Sequence, residues 1–187
     1  EAVFQLEGTG MTETIKALLY DVDDKIKVIE DIEDDEVRNK ALKELGEECF
    51  SRVVAGVSLY RPGPMQFIPQ YIEGLKDPSS IVYDHPSLEP VLKETMGLMV
   101  YQEQIMQVAQ VLAGYTLGEA DILRRAIGKK KLKILEEQKD NFIKGAINNN
   151  VAKEVAERVF EKIVYFADYG FNKSHAAAYA CLGMQTA

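Results

Sequence analysis

TLGEADILRRAIGKKK, residues 116–131, contains the pattern that decides the fold class. Thr116 and Glu119 have the spacing of a capping box, in which each side chain binds a free backbone amide at a helix start. The apolar residues Ala120, Leu123 and Ile127 then recur at helical spacing, and Gly128 ends the pattern. The stretch therefore predicts an amphipathic helix that starts after Thr116 and ends at a basic segment.

Five cations lie in the last turns of this helix and just beyond it: Arg124, Arg125, Lys129, Lys130 and Lys131. One interpretation is structural, because cations are favoured near a helix C-terminus and Asp121 can pair with Arg125 at the i, i+4 spacing. The other is functional, because five cations within eight residues repel one another without a counterion. The next helix is predicted to begin near Leu132, and its free amides would suit phosphate oxygens.

A second polar segment, YGFNKSH at residues 169–175, lies at another predicted helix start. Ser174 is the predicted N-cap of an alanine-rich helix that follows. The side chains of this segment combine stacking surfaces with hydrogen-bond donors, a mixture that suits a base or sugar next to a phosphate: Tyr169, Phe171, Asn172, Lys173 and His175. Together the two segments predict one anionic ligand held between them.

Predicted helices separate and flank these segments. A helix over about 100–113 has one apolar face and ends at Gly114, and Gln102 and Glu103 near its start could bind a ligand. Two further helices over about 132–147 and 151–166 are predicted to be a scaffold, the second capped by Asn150.

The N-terminal part differs in charge. Residues Asp21 to Glu48 hold 12 acidic and 5 basic residues, and the rest of the chain is close to balanced. We expect one or two solvated surface helices there. An apolar run up to Leu59 is then stopped by the sequence YRPGP around Arg61. Arg61 fits a sharp connection, or a guanidinium held ready for a phosphate or carboxylate.

Composition sets wider limits. The chain has 187 residues, 47% of them hydrophobic, and a net charge of −8. It contains no apolar run long enough for a membrane span and no signal-peptide pattern, so no membrane partner is expected. The spacing of Cys49 and Cys181 suits reduced thiols of a cytoplasmic protein. The chain is expected to be a piece of a longer protein, because it stops inside a helical pattern.

The resulting fold prediction is mainly α. We expect a single domain of about seven helices around one core, with short extended segments near Phe4 and Tyr60. No metal-ligand spacing is present in the sequence, so no metal site is predicted.

Several segments together resemble one family. These are FQLEGTGM at 4–11, SLYRPGPM at 58–65, VYQEQIMQVAQVLAGYTLGEADILRRAIGKKK at 100–131 and YGFNKSHAAAYA at 169–180. In this order they resemble the alpha subunit of bacterial DNA polymerase III, in its fingers domain next to the palm. The resemblance covers nearly the whole chain and implies that residues 1–187 are a fingers-domain fragment. Residues 20–48 depart from the pattern and are interpreted as an acidic insertion.

The resemblance implies a template-directed replicative DNA polymerase. Its Mg²⁺ ions would be held by palm aspartates outside this chain, so no catalytic residue is expected here and the isolated fragment would be inactive. The cations at 124–131 would contact the incoming triphosphate or the DNA backbone. The segment at 169–175 would line the nascent base pair, with Arg61 nearby. Implied partners are primer-template DNA, deoxynucleoside triphosphates, the rest of the alpha subunit and replisome proteins such as the sliding clamp.

Two other hypotheses compete with this one. A non-catalytic helical module could use the same basic surface to bind nucleic acid or a protein. An autonomous nucleotide-binding enzyme is disfavoured, because the sequence has neither a GxxxxGK[ST] loop nor a dinucleotide glycine fingerprint.

Overall fold

The computed structural model describes residues 8–129 and 132–186, and these residues are mostly helical. The described chain contains ten α-helices: α1 (Thr9–Leu18), α2 (Val22–Glu30), α3 (Asp35–Leu59), α4 (Ile68–Lys76), α5 (Glu89–Leu92), α6 (Gln102–Ala113), α7 (Leu117–Gly128), α8 (Leu132–Asn148), α9 (Lys153–Ala167) and α10 (Lys173–Thr186). Four short 3₁₀ helices complete the regular structure: Pro64–Phe67, Pro78–Ser80, Pro86–Leu88 and Lys93–Thr95. The mainly α prediction is confirmed, with more helices than the seven expected.

The predicted extended segments are not strands in the described part of the chain. Tyr60 follows the end of α3 directly, with φ −75° and ψ 68°, and Phe4 lies outside the described residues. Within the described residues the backbone forms one isolated parallel β-bridge, between Tyr101 and Phe171. No described helix combines the length and the apolar character that a bilayer span requires.

The chain divides into two compact units, and the first comprises the described residues up to Ile72 and from Ser174 onward. In this unit α1 and α2 pack against α3. A methyl group on Gly56 would lie 2.8 Å from Leu18 Cδ1, so the missing side chain lets α1 approach α3 closely. The acidic stretch forms α2 and the first half of α3, which confirms the prediction of surface helices there.

The second unit, Glu73–Lys173, is built around α6. Helices α7, α8 and α9 all pack against it, and Val108, Ala109 and Leu112 on α6 are fully buried. At the crossing of α6 and α8 a side chain on Gly145 would collide with the carbonyl oxygen of Ala113. This core holds α6 and α7 in fixed positions, and the candidate site is built on their ends.

Two predicted helix boundaries in the second unit are confirmed and one is wrong. Thr116 Oγ1 accepts the amide of Glu119 at 3.3 Å, and Glu119 Oε2 accepts the amide of Thr116 at 2.8 Å. Gly114 ends α6 with φ 69°. Asn150 does not cap α9, because it has a left-handed φ of 61° in the turn after α8 and the N-cap is Ala152.

Candidate functional site

The N-terminal end of α6 is fixed by a buried amide that the sequence analysis did not single out. Gln104 Oε1 accepts the backbone amides of Val100 and Tyr101, both at 3.0 Å. Its Nε2 donates to Val91 O at 3.1 Å and to Thr95 Oγ1 at 2.7 Å. A buried amide with all these bonds made is rigid, because losing any one of them would leave a polar group unsatisfied. The start of α6 is therefore a firm base for the residues around it.

The first basic segment reaches this base through Arg124. Arg124 Nε and Nη2 donate to Asp121 Oδ1 at 3.1 and 2.8 Å, and its Nη1 lies 3.5 Å from Gln102 Oε1 on α6. Asp121 Oδ2 lies 2.7 Å from Arg125 Nε. The Asp121–Arg125 pair of the structural interpretation is thus confirmed, and Asp121 serves both arginines.

These two arginines differ in how much surface they offer to a ligand. The side chain of Arg124 is 30% exposed, whereas that of Arg125 is 65% exposed. Hydrogen bonds from Arg124, with the charge of Arg125, hold the pKa of Asp121 below its ordinary value. Two guanidinium groups share one carboxylate, so the cluster keeps an excess positive charge.

Residues 170–173 of the second segment lie along the start of α6. Phe171 N donates to Val100 O at 3.0 Å, and Gln102 N donates to Phe171 O at 2.9 Å. A side chain on Gly170 would lie 3.0 Å from Ile105 Cδ1 and 3.3 Å from Gln102 Cγ. Glycine at this position therefore serves the close approach of the segment to α6.

The start of α10 is held by a carboxylate from α6. Glu103 Oε1 accepts Asn172 Nδ2 at 3.1 Å and the Lys173 amide at 3.3 Å, and Glu103 Oε2 accepts the same amide at 3.2 Å. The predicted N-cap Ser174 is wrong, because α10 already begins at Lys173. Glu103 supplies the acceptor from 70 residues away, so local spacing gave no signal for it.

The side chain of Lys173 is also engaged. Its Nζ lies 2.6 Å from Glu94 Oε1 and 5.3 Å from the centre of the Tyr101 ring. Glu94 is a second residue that the sequence analysis missed. Both side chains of this ion pair remain nearly half exposed, so an anion in solvent could compete with Glu94 for the ammonium group.

Tyr169 and Lys129 are the other predicted site residues that the structure describes in the second unit. Tyr169 packs edge-on against Tyr165, with ring centres 5.7 Å apart. Lys129 is exposed immediately after α7. Lys130 and Lys131 were predicted site residues, and they lie outside the described residues.

Arg61 and His175 belong to the first unit. Arg61 Nε donates to Ser58 O at 2.9 Å, and burial lowers the pKa of the Arg61 guanidinium. The ring of His175 contacts that of Tyr179 on α10 edge-on, with centres 4.7 Å apart. These two contacts lie within the first unit.

A groove of about 450 Å³ borders Lys173 in the second unit. Its lining is half polar: Pro90, Val91, Lys93, Glu94, Glu103, Gln104, Gln107 and Lys173. The described residues contain no group of three or more His, Cys, Asp or Glu side chains placed to hold a metal ion. The candidate site in the second unit therefore presents cations and hydrogen-bond donors in fixed positions around the start of α6.

Comparison with known proteins gives a consistent result. A family model described as "Bacterial DNA polymerase III alpha subunit finger domain" matches residues 23–150, which include α7 and most of the acidic stretch. DNA polymerase III subunit alpha of Halalkalibacterium halodurans is 53% identical over 148 residues, 79% of this chain and 13% of the relative. The same subunit of Treponema pallidum is 56% identical over 135 residues, 72% of this chain and 12% of the relative.

A third relative extends this finding. DNA polymerase III subunit alpha of Staphylococcus aureus strain Mu50 is 50% identical over 149 residues, which is 80% of this chain and 14% of the relative. The chain therefore spans only a small part, 12 to 14%, of the length of the curated relatives named here.

Proposed function

Because this chain belongs to the finger-domain family of the bacterial DNA polymerase III alpha subunit, we propose that it is part of a template-directed replicative DNA polymerase. Within that enzyme it binds and positions the incoming deoxynucleoside triphosphate and the primer-template DNA. Phosphoryl transfer requires charge neutralisation and positioning from the protein, and fixed cations at helix ends supply both.

One observation supports this proposal most directly: both polar segments meet at the start of α6. Gln102 lies 3.5 Å from Arg124, and its backbone amide binds Phe171 O at 2.9 Å. Arg124 and Phe171, which are 47 residues apart in sequence, are thereby joined at one helix end. A single ligand bearing a base and phosphates could touch both.

The residue roles follow from exposure. Arg125 is the better candidate to contact a triphosphate or the DNA backbone, because Arg124 is held by Asp121 and Gln102. Lys129 and, by the family resemblance, Lys130 and Lys131 extend the same basic segment. We assign Tyr169, Phe171, Asn172 and Lys173 to the surroundings of the nascent base pair. The assignment of Arg61 and His175 to ligand binding rests on the resemblance alone.

The rest of the proposal also rests on the resemblance. We propose that residues 1–187 are a fingers-domain fragment with an acidic insertion at 20–48, and that the enzyme acts in the cytoplasm. The Mg²⁺ ions would be bound by palm aspartates outside this chain. The wider partners would be the remainder of the alpha subunit and replisome proteins such as the sliding clamp.

The test uses the full-length protein that carries this chain, with Arg125 replaced by alanine. We expect the KM for the incoming nucleotide to rise about tenfold, the effect of losing one charge-assisted hydrogen bond. The affinity for primed DNA should fall less than about threefold. Nucleotide incorporation and DNA binding are measured on the same preparations. Lys153→Ala, which removes an exposed cation paired with Glu157 on α9, is the matched control.

Two outcomes would contradict the proposal. Absence of template-directed incorporation by the unsubstituted full-length protein would remove it altogether. If Arg125→Ala loses DNA affinity and nucleotide use equally, and its DNA affinity falls in step with rising salt, the result would favour a module that only binds the nucleic-acid backbone.

A further inference from the structure

We propose that Glu103 is a positioning residue for nucleotide incorporation, which holds residues 171–173 against α6 so that they face the nucleotide. This inference rests on the proposed function and adds a residue to it. Glu103 was expected to bind a ligand itself if it had any role, and the contacts of its carboxylate point to a different one.

The carboxylate of Glu103 is used by the protein. Oε1 accepts two hydrogen bonds, from Asn172 Nδ2 and from the Lys173 amide, and Oε2 accepts the Lys173 amide as well. These bonds fix a side chain and a backbone group of the same short segment. A negative charge in direct contact with a triphosphate would also repel it. Glu103 therefore acts through Asn172 and Lys173.

Two other hydrogen bonds attach the segment to the chain around the start of α6, and both are made by the residue that precedes Asn172. Phe171 makes two backbone hydrogen bonds, one to Val100 and one to Gln102. Without Glu103, Phe171 keeps its backbone hydrogen bonds to Val100 and Gln102, while Asn172 and the first amide of α10 lose the hydrogen bonds that the Glu103 carboxylate accepts. The expected defect is thus a loss of orientation at residues 172–173, because the rest of the segment remains anchored.

Glu94 provides a contrast within the same site. It binds the ammonium group at the end of the Lys173 side chain at 2.6 Å, whereas Glu103 binds the Lys173 backbone amide. Its carboxylate holds the charged end of Lys173 where an anionic ligand would compete for it. Removing Glu94 should therefore not weaken nucleotide use, whereas removing Glu103 should.

The experiment compares four substitutions in the full-length protein: Glu103→Ala, Glu103→Gln, Glu94→Gln and Glu154→Gln. Steady-state incorporation gives KM and kcat for the nucleotide, and DNA affinity is measured separately. Glu103→Ala should raise the KM about tenfold and change DNA affinity less than twofold. Glu103→Gln keeps one acceptor oxygen and should recover most of that loss. Glu94→Gln should leave the KM unchanged or lower it, and Glu154, exposed on α9, serves as the neutral control.

Each outcome has one meaning. A KM that Glu103→Ala leaves unchanged or lowers would overturn the positioning role while leaving the proposed function intact. Equal increases in KM for Glu94→Gln and Glu103→Ala would also overturn it, since the cause would then be lost acidic charge near Lys173. If Glu103→Ala does not fold, Glu103→Met, which keeps the length of the side chain and removes both acceptor oxygens, takes its place and is judged by the same KM criterion. No incorporation by the unsubstituted protein would instead contradict the proposed function.

Discussion

Two arginine clusters, one in each unit, show how differently the same side chain is used in this chain. In the first unit the side chain of Arg52 is only 4% exposed, and it binds the carboxylates of Asp21 and Glu48. Lys25 binds the same two carboxylates. Two cations thus meet two anions. In the second unit two arginines meet the single carboxylate of Asp121.

The difference teaches that charge balance and exposure separate a structural arginine from one available to a ligand. Arg52 also donates to Leu18 O at 3.0 Å, which ties the end of α1 to α3. Its charge is neutralised and out of reach. Arg125 is 65% exposed in a cluster with surplus positive charge, and an anion would complete that cluster.

The largest expected effect is on the stability of the first unit. Arg52→Ala leaves Asp21 and Glu48 without their main cation, and breaking such a pair costs about 3 kcal/mol. Arg125→Ala removes only an exposed pair, so its cost should stay within about 0.5 kcal/mol. Amide hydrogen exchange measures the local free energy of opening of the helix that carries each change, at residues 53–59 of α3 for Arg52→Ala and at residues 120–127 of α7 for Arg125→Ala. Similar losses in the two variants would contradict the distinction.

The second largest expected effect is a loss of stability of the first unit in acid, which follows from the lowered pKa of Asp21. The hydrogen bond from Arg52 lowers the pKa of Asp21 to about 2, although burial opposes it. The folded pKa lies below the unfolded value, so the ionised group stabilises the fold fully above about pH 4. That contribution is lost as the pH falls through 2. Allowing for the 21% exposure of the side chain, it amounts to about 1–2 kcal/mol.

The measurement compares amide hydrogen exchange in α3 at pH 5 with that near pH 2.5. In the unsubstituted protein the opening free energy should fall over this range, and in Asp21→Asn the fall should be smaller. Asp121→Asn should leave the acid dependence of α3 as it is, because Asp121 belongs to the exposed cluster of the other unit. An unchanged acid dependence in Asp21→Asn would show that another group controls it.

The contrast also explains which parts of the molecule the sequence could predict. The capping box of Thr116 and Glu119 and the end of α6 at Gly114 depend on residues within a few positions, so both were predicted correctly. Asp121 and Arg125 are one helical turn apart, so their spacing in the sequence also predicted that they pair.

Contacts over long sequence distances gave no such signal. Asp21 binds Arg52 from 31 residues away, and Glu103 binds Lys173 from 70 residues away. For this reason Arg52 was not recognised as a buried group, and the N-cap of α10 was predicted at Ser174, although the helix already begins at Lys173. The periodicity of apolar residues predicted the helices, whereas no local pattern predicted the carboxylates that hold the candidate site.

The smallest expected effect tests the surplus charge of the exposed cluster. Asp121→Asn keeps an acceptor oxygen for Arg124 and removes the negative charge, so the full-length protein should bind primed DNA about two- to threefold more tightly at low salt. The gain should disappear at high salt, and fluorescence anisotropy at two salt concentrations measures both values. Asp35→Asn, which removes a similar i, i+3 partner from Arg38, is the matched control. If both variants gain affinity equally, the gain comes from net charge alone, and the arginines on α7 have no special place at the DNA surface.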